Sequence, residues 1–383
     1  MMEKLRRELR LIYSTKEQSQ NGKRLVGLDM ARGIAIILVV IGHSVFVSSS
    51  CNIWLSTFHL PLFFILSGIL AGIKQEESHP LPKLSLQKAR SIMVPYLWFS
   101  IGSICLDILQ VLLGNFTWDV VWEHVVQAIT LQGYSVLWFL PVLYLAEILL
   151  LLLRKAIRHF LPSGHGCNII SVIVMTACAV GGYDGYQALE ASVAPALFLH
   201  ILRICVKSLI GAAFMSYGYM FGRLYSGETA AVAKCKWYTF LSGALLSCVN
   251  FMVFSQIQLM DLNHLNLQNP WIYLLLGTTG GMGCILLCMS IPNIPLLTFY
   301  GQNSLIIMCT HLNFYVMHFS ILFNMFLVPR LPGANDTMFA VFSLVGTFVL
   351  SIPIILIIRT FFPFVLGRKK NLYRKTEEKR IAA

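Results

Sequence analysis

The sequence LDMARGIAIILVVIGHS, residues 28–44, contains an apolar run that is typical of a membrane-spanning helix. A span needs about 20 mainly apolar residues, and runs of this kind recur along the whole chain. Together they predict an all-α, polytopic bundle of about ten transmembrane helices. The predicted spans cover approximately residues 28–48, 54–73, 92–113, 136–153, 169–183, 195–222, 237–258, 271–291, 303–328 and 338–362.

The composition of the chain supports the same class. Of the 383 residues, 57% are hydrophobic and 12% are charged, whereas about 25% are charged in a soluble domain. The formal charge of +12 does not indicate nucleic-acid binding, because the basic residues lie mostly at the termini and in short loops rather than on one basic face. The ten cysteines fall mostly within apolar runs, so we interpret them as buried free thiols rather than as disulfides or a metal site.

Basic residues in the predicted loops indicate the orientation of the bundle, since cytoplasmic loops collect Lys and Arg. Alternate loops are rich in these residues, whereas the connections on the other side together hold only Arg330. This alternation predicts an even number of helices with both termini in the cytoplasm. It divides the chain into a cytoplasmic N-terminal segment 1–27, a transmembrane domain 28–362 and a basic cytoplasmic tail 363–383. The protein is expected in the inner (cytoplasmic) membrane of the cell.

Two ionisable side chains lie on one stripe of the first predicted helix. Arg32 and His43 are eleven positions apart, and eleven steps of about 100° return to within roughly 20° of the same face. Their separation along the axis is on the order of 16 Å. An ionisable group within a membrane is costly unless it faces a polar cavity. On spacing alone, however, an interfacial anchor at Arg32 and an interfacial histidine at His43 explain the pair better than a functional site does.

Four further blocks follow this pair in a fixed order. They are FHLPLFFILSG at 58–68, RSIMVPYLWF at 90–99, LWFLPVLYLAEIL at 137–149 and GQNSLIIMCTHLNF at 301–314. With the Arg, ten residues and His of the first helix, they resemble the membrane acyltransferase 3 family, most closely its fucose 4-O-acetylase-like branch. The chain departs from that family before Pro95. Arg90 is present, but the position three earlier is Gln87, so the resemblance transfers only one residue of the usual paired-Arg motif.

The resemblance implies an acyltransferase that moves an acyl group, usually acetyl from cytoplasmic acetyl-CoA, to a hydroxyl of a glycan or glycolipid. It implies that Arg32 binds the donor and that His43 acts as the base, with a transient acyl-His43 as the mechanistic alternative. Asp29, one helical turn before Arg32, is expected to orient it or to cap the helix start. Acyl-CoA is expected as a co-substrate, without a tightly bound cofactor or a metal.

Other polar residues in the predicted spans are candidates for binding donor or acceptor. His59 is expected either to face the cavity of His43 or to bond only to the nearby backbone. Arg203 and Lys207 share one helix face, and either line the site or form an ion pair with Glu147 or Asp107. His311 is expected at mid-membrane in the ninth helix. The candidate binding residues are therefore Asp29, His59, Arg90, Glu147, Arg203, Lys207 and His311.

The sequence thus predicts an integral membrane O-acyltransferase, in its expected form an acetyl-CoA-dependent O-acetyltransferase. Its predicted partners are the lipid bilayer, acyl-CoA and a glycan or glycolipid acceptor, such as a cell-envelope polysaccharide or a lipid-linked sugar, with no nucleic acid. The alternative is a transporter or flippase for a small polar solute or an acylated lipid, because polar groups at mid-membrane also mark permeation paths. Transporters commonly contain internal repeats, which are not evident in this sequence.

Overall fold

The computed structural model describes residues 25–44, 47–161, 165–192, 195–226 and 236–367, which form helices, turns and loops without a β-strand. Most of the predicted segment 1–27 and of the predicted tail 363–383 lies outside these ranges. The α-helices are α1 (Val26–Gly42), α2 (Ser49–Ser56), α3 (His59–Lys74), α4 (Leu81–Leu112), α5 (Trp118–Ile129), α6 (Phe139–Phe160), α7 (His165–Glu190), α8 (Ala196–Ser226), α9 (Lys236–Phe254), α10 (Pro270–Ser290), α11 (Pro295–Gln302), α12 (Ser304–Thr310), α13 (Val316–Leu327) and α14 (Asp336–Phe361).

Eight helical stretches of the described chain are long and apolar enough to cross a membrane. This confirms the all-α, multi-pass class, but not the predicted count of about ten. Two of the predicted spans do not qualify. The first ends at Gly42 after 17 residues, and the ninth, predicted at 303–328, is divided into α12 and α13. The orientation of the termini remains a prediction.

The interruption of the ninth predicted span lies at residues 311–315. Tyr315 has a left-handed backbone conformation with φ of 57°, which a continuous helix does not contain. The amide of Met317 donates to the carbonyl oxygen of His311 over 2.9 Å and closes the turn that begins α13. The continuous apolar pattern predicted that His311 lies in the middle of one helix. The structure instead places His311 at the junction between α12 and α13.

The described residues fall into two compact units. One contains residues 82–144 and 309–367, and the other contains residues 25–81 and 145–308. We call them the α4–α5 unit and the α1–α3 unit after helices that each contains, and each is described by itself. The first histidine and arginine of interest, Arg32 and His43, both belong to the α1–α3 unit.

Helices α3 and α8 of the α1–α3 unit pack through two pairs of glycines. A Cβ added to Gly68 or Gly72 of α3 would overlap the backbone of Met215 or Tyr219, and a Cβ added to Gly218 would overlap the carbonyl of Ile65. Small residues four positions apart let two membrane helices bring their backbones together. Direct backbone contact therefore fixes the position of α3 in this unit.

Replacement of Gly218 by alanine is expected to lower the thermal unfolding temperature of the purified protein in detergent. The added methyl group has to displace the backbone of α3, and overpacking of this kind costs about 1–3 kcal/mol. Gly181→Ala in α7 is the matched control, because an added Cβ there meets nothing within 4 Å. Alanine is the better helix former by about 1 kcal/mol, so the control should unfold at the same or a higher temperature. Equal unfolding temperatures of the Gly218 and Gly181 variants would contradict the close packing of α3 against α8.

Helix α1 is held by an equally close contact with α11. A Cβ on Gly33 would overlap the carbonyl of Leu297, and one on Gly301 would overlap the carbonyl of Asp29. Both glycines are therefore required to be small, because either side chain would separate the two helices. Asp29 and Gly33, which make this contact, lie on either side of Arg32 in the chain. Helix α11 therefore fixes the part of α1 that carries the candidate donor-binding arginine.

Candidate active site

The end of α1 places His43 at a helix terminus. Gly42 is the last helical residue, and the backbone amide of His43 donates to the carbonyl of Val39 over 3.2 Å. The His43 side chain is exposed, whereas Arg32 is half-buried and Asp29 is buried. The prediction of a helix over 28–48, with His43 inside it, is therefore corrected. The histidine stands where the chain leaves the helix.

His59 is the first residue of α3, and its ring is oriented by the backbone. Its Nδ1 lies 2.6 Å from the carbonyl oxygen of Leu55. A carbonyl only accepts hydrogen bonds, so Nδ1 carries the proton and, in the neutral ring, Nε2 is left as an acceptor. His59 also interacts electrostatically with His43. The predicted backbone bond is therefore present, and it fixes the tautomer of a ring that lies near the candidate base.

A carboxylate that the sequence analysis did not single out lies near both histidines. Asp261 belongs to the loop between α9 and α10, where it forms an isolated antiparallel bridge with Asn266. Its Oδ1 accepts from the amide of Asn263 over 2.7 Å, and its Oδ2 lies 2.5 Å from Nδ1 of His264. These bonds shape a local turn. The turn holds the carboxylate in a fixed position rather than leaving it on a free loop.

The negative charge of Asp261 acts on two histidines and a lysine of the site. It interacts electrostatically with His43, His59 and Lys207. Sequence reasoning missed Asp261 because it falls in a predicted connection, and hydropathy carries no information about which loop folds back on which helix. The available signal was the sequence DLNHLN, residues 261–266, which combines a turn-forming Asp and Asn with a histidine.

Lys207 of α8 connects the helix to the same loop. Its side chain is 4% exposed, and its Nζ donates to the side-chain oxygen of Asn263 over 2.8 Å. Arg203, one turn earlier, donates to the hydroxyl of Tyr186 over 2.9 Å and lies 3.4 Å from the Glu190 carboxylate. The carboxylate beside Arg203 is thus Glu190 of α7, which replaces the predicted pairing with Glu147 or Asp107.

A buried phenol adds an uncommitted polar group to this unit. Tyr273 of α10 is 1% exposed, and its hydroxyl has no hydrogen-bond partner among the described residues. It interacts electrostatically with Asp261. A buried hydroxyl without a partner costs free energy, which a hydrogen bond to a polar substrate atom would offset.

The remaining predicted residues are placed as follows. Glu147 is half-buried on α6 in the α1–α3 unit. Arg90 and His311 belong to the α4–α5 unit, where the Arg90 side chain is exposed and His311 is fully buried. The backbone of Arg90 lies so close to Gly367 that a Cβ on that glycine would overlap the Arg90 carbonyl. The structure therefore brings His43 and His59 together with Lys207 around Asp261, and describes Arg90 and His311 in another unit.

The described residues contain no group of three or more His, Cys, Asp or Glu side chains arranged to hold a metal ion. The polar groups of the site are instead imidazoles, a carboxylate, an ammonium group and a phenol. Such a set can transfer protons and bind hydroxyl groups.

The family model described as an acyltransferase domain, Acyl_transf_3, matches residues 25–356. The match begins just before α1 and ends within α14, so it contains all the residues of the site. No curated protein and no solved structure matches the chain.

Proposed function

Because the chain belongs to the acyltransferase 3 family, we propose that it is a multi-pass membrane O-acyltransferase that uses acyl-CoA, in its simplest form acetyl-CoA, and acylates a hydroxyl of a cell-envelope polysaccharide or a lipid-linked sugar. The observation that carries the proposal is the arrangement at the end of α1. An exposed histidine there interacts with a second histidine and with a carboxylate. The fucose 4-O-acetylase-like branch is the form that we propose, on the basis of the sequence blocks described above.

The reaction needs a base at the acceptor hydroxyl. The hydroxyl oxygen attacks the thioester carbonyl carbon, a C–O bond forms, the C–S bond breaks, and CoA leaves as the thiol after receiving a proton. A positioned base removes the hydroxyl proton and can return it to the leaving sulfur. We assign this role to His43, because its ring is accessible at the helix terminus. Attack by His43 itself, to give a transient acyl-imidazole, is the alternative route.

His59 and Asp261 support this assignment by their position. The bond from Nδ1 of His59 to Leu55 presents Nε2 as an acceptor, so the ring can bind the acceptor hydroxyl or orient His43. The Asp261 carboxylate stabilises an imidazolium, which is the state that His43 passes through during proton transfer. We therefore treat His59 and Asp261 as positioning residues.

Donor binding is assigned to the opposite end of α1. Arg32 lies about 16 Å from His43 along the helix axis at 1.5 Å per residue, and a guanidinium forms two parallel hydrogen bonds with a phosphate. The pantetheine arm of CoA is long enough to extend from phosphates at Arg32 toward a thioester near His43. The buried Asp29 one turn earlier is a candidate to orient the guanidinium.

The acceptor is proposed to contact the polar groups around the loop of Asp261. Lys207 and Asn263 form one bonded pair, and the buried hydroxyl of Tyr273 is a further donor or acceptor. Arg203, which is bonded to Tyr186 and Glu190, lies one helical turn from Lys207. These groups suit an acceptor that carries hydroxyls.

The test is the release of free CoA by the purified protein from acetyl-CoA, with and without a membrane glycan extract as acceptor. The proposal predicts thiol release that depends on the acceptor and is matched by ester formation on it. A transporter or flippase would leave the thioester intact. Binding of acetyl-CoA without acceptor-dependent thiol release, with every acceptor fraction of the host envelope, would contradict the proposal.

Substitution of Asp261 by asparagine is expected to move the acid limb of the pH profile to lower pH. Asparagine keeps an oxygen for the amides of Asn263 and His264 but removes the charge that stabilises the protonated form of His43. His43 then stays neutral down to a lower pH, and the acid limb moves by less than about one pH unit. Asp184→Asn, at an exposed position of α7, is the matched control and should leave the profile unchanged. An acid limb that stays fixed or moves to higher pH in the Asp261 variant would exclude this role.

A further inference from the structure

The α4–α5 unit contains a buried carboxylate and imidazole that the proposed reaction does not use. Oδ2 of Asp107 on α4 lies 2.8 Å from Nδ1 of His124 on α5. The two residues are 2% and 7% exposed, which is unusual for ionisable side chains. The carboxylate accepts a hydrogen bond from Nδ1–H and so orients the ring, leaving Nε2 to interact with another group. This is the arrangement by which proteins fix a histidine for binding or proton transfer.

Aromatic rings flank this pair. The His124 ring stacks on the Tyr134 ring with centroids 3.5 Å apart and an interplanar angle of 27°. Burial raises the pKa of Tyr134 and of Tyr315, and the nearby Asp107 carboxylate adds to the effect in both cases. Both phenols therefore stay protonated in the neutral pH range, so each keeps a hydroxyl that can donate. His124 covers one face of the Tyr134 ring, and Tyr134 is half-buried, so a ligand can contact the other face.

A neighbouring amide provides an independent observation. Asn313 is 6% exposed, and its Nδ2 donates to the hydroxyl of Ser103 over 3.3 Å and to the carbonyl of Tyr134 over 3.4 Å. Its Oδ1 is buried and has no hydrogen-bond partner among the described residues. Buried amide oxygens are usually bonded, and leaving one without a donor costs about 1–3 kcal/mol. The free acceptor therefore indicates a ligand that supplies a donor.

We propose that Asp107, His124, Tyr134 and Asn313 form a binding site for a neutral, hydroxyl-rich ligand, namely a sugar. The site offers acceptors at Asn313 Oδ1 and at His124, a donor at the hydroxyl of Tyr134, and the second face of the Tyr134 ring for the C–H surface of a sugar. The carboxylate of Asp107 disfavours an anionic ligand. This site belongs to a different unit from His43, and its capacity to bind hydroxyl groups does not rest on the proposed function.

A purely structural role would explain only part of this arrangement. The Asp107–His124 bond also attaches α5 to α4, together with the bond of 2.7 Å from the Tyr96 hydroxyl to the carbonyl of Ala128. Attachment accounts for the carboxylate and the imidazole. It does not account for a buried Asn313 oxygen without a donor, so the two roles make different predictions for Asn313.

The experiment measures sugar binding without acyl-CoA, so that its failure is distinct from failure of acyl transfer. The full-length protein in a detergent without a sugar headgroup is mixed with glucose, N-acetylglucosamine or glucuronate, and saturation-transfer NMR reports contact. The proposal predicts transfer to at least one of the neutral sugars and a weaker signal from the anionic glucuronate. Asn313→Leu and His124→Gln should each reduce the neutral-sugar signal at least about fivefold, while Asp119→Asn, an exposed carboxylate of α5, should not.

Thermal unfolding of the same samples separates binding from folding. A variant that keeps the wild-type unfolding temperature and loses the sugar signal supports the site. Two results would overturn it: an absence of saturation transfer from wild-type protein to either neutral sugar, or an unchanged signal in a folded Asn313→Leu variant. If His124→Gln does not fold, the Asn313 variant alone decides, because Asn313 takes no part in the Asp107–His124 bond.

Discussion

Replacement of His43 by alanine is expected to reduce acceptor-dependent release of CoA by about 10²–10⁴-fold, which is the range that a positioned general base contributes. The side chain is exposed at the end of α1, so its removal leaves no buried cavity and the unfolding temperature should change little. The measurement is the rate of thiol release by purified protein at saturating acetyl-CoA.

The control for this variant is His159→Ala, which removes an exposed histidine at the end of α6 and should retain wild-type activity. If the His43 variant still transfers acetyl groups at the wild-type rate, both the base and the acyl-imidazole roles are excluded. Loss of activity in both histidine variants would point to a general effect of histidine removal on the protein.

Replacement of Arg32 by glutamine is expected to lower kcat/KM for acetyl-CoA by about 10–100-fold, mainly through KM. A hydrogen bond to a charged group contributes about 1.5–3 kcal/mol, and the bidentate bonds of a guanidinium to phosphate are of this strong kind. The variant should therefore bind the donor poorly while the chemical step at His43 is preserved.

A donor without phosphates provides the internal control for Arg32. S-acetyl-N-acetylcysteamine carries the same thioester, and wild-type and Arg32→Gln proteins should use it equally well. A loss of the same size with both donors would show that Arg32 acts on the fold or on the chemical step rather than on the CoA phosphates. The comparison is made from initial rates over a range of concentrations of each donor.

Hydrophobic pattern predicted most of the fold but not its interruptions. The long apolar runs gave α4, α6, α8, α10 and α14 to within a few residues at one or both ends, because each run has to be buried in a bilayer or a core. The break at residues 311–315 escaped this reasoning although the sequence there, HLNFY, contains His311 and Asn313, because the apolar residues on both sides made the run look continuous. The helix ends there in a local turn, which hydropathy does not reveal.

The candidate site was predicted in part. Arg32 and His43 were selected by their shared stripe and by the resemblance to a family, and the structure adds that His43 lies beyond the last helical residue Gly42. Asp261 was missed because its role depends on a loop that folds back toward His43 and His59. The periodicity of residues within one helix does not predict which side chains of distant segments pair, such as Lys207 with Asn263.

The partner of Arg203 illustrates the same limit. Sequence reasoning looked for a carboxylate within the other predicted spans and selected Glu147 or Asp107. The actual partner, Glu190, lies on α7 beyond residue 183, where the predicted span ended. The helix continues to Glu190 because its last turns pack against α8, and the hydroxyl of Tyr186 bonds both to Glu190 and to Arg203.

The most direct test of the central claim follows the acyl group itself. Purified wild-type protein and the His43→Ala variant are incubated with [¹³C]acetyl-CoA and a membrane glycan fraction, and ¹³C NMR of the recovered glycan detects acetyl esters. The account predicts a labelled ester signal with wild-type protein and none above background with the variant. A labelled ester of equal intensity with both proteins, or [¹³C]acetyl-CoA that stays intact with the wild-type protein, would contradict it.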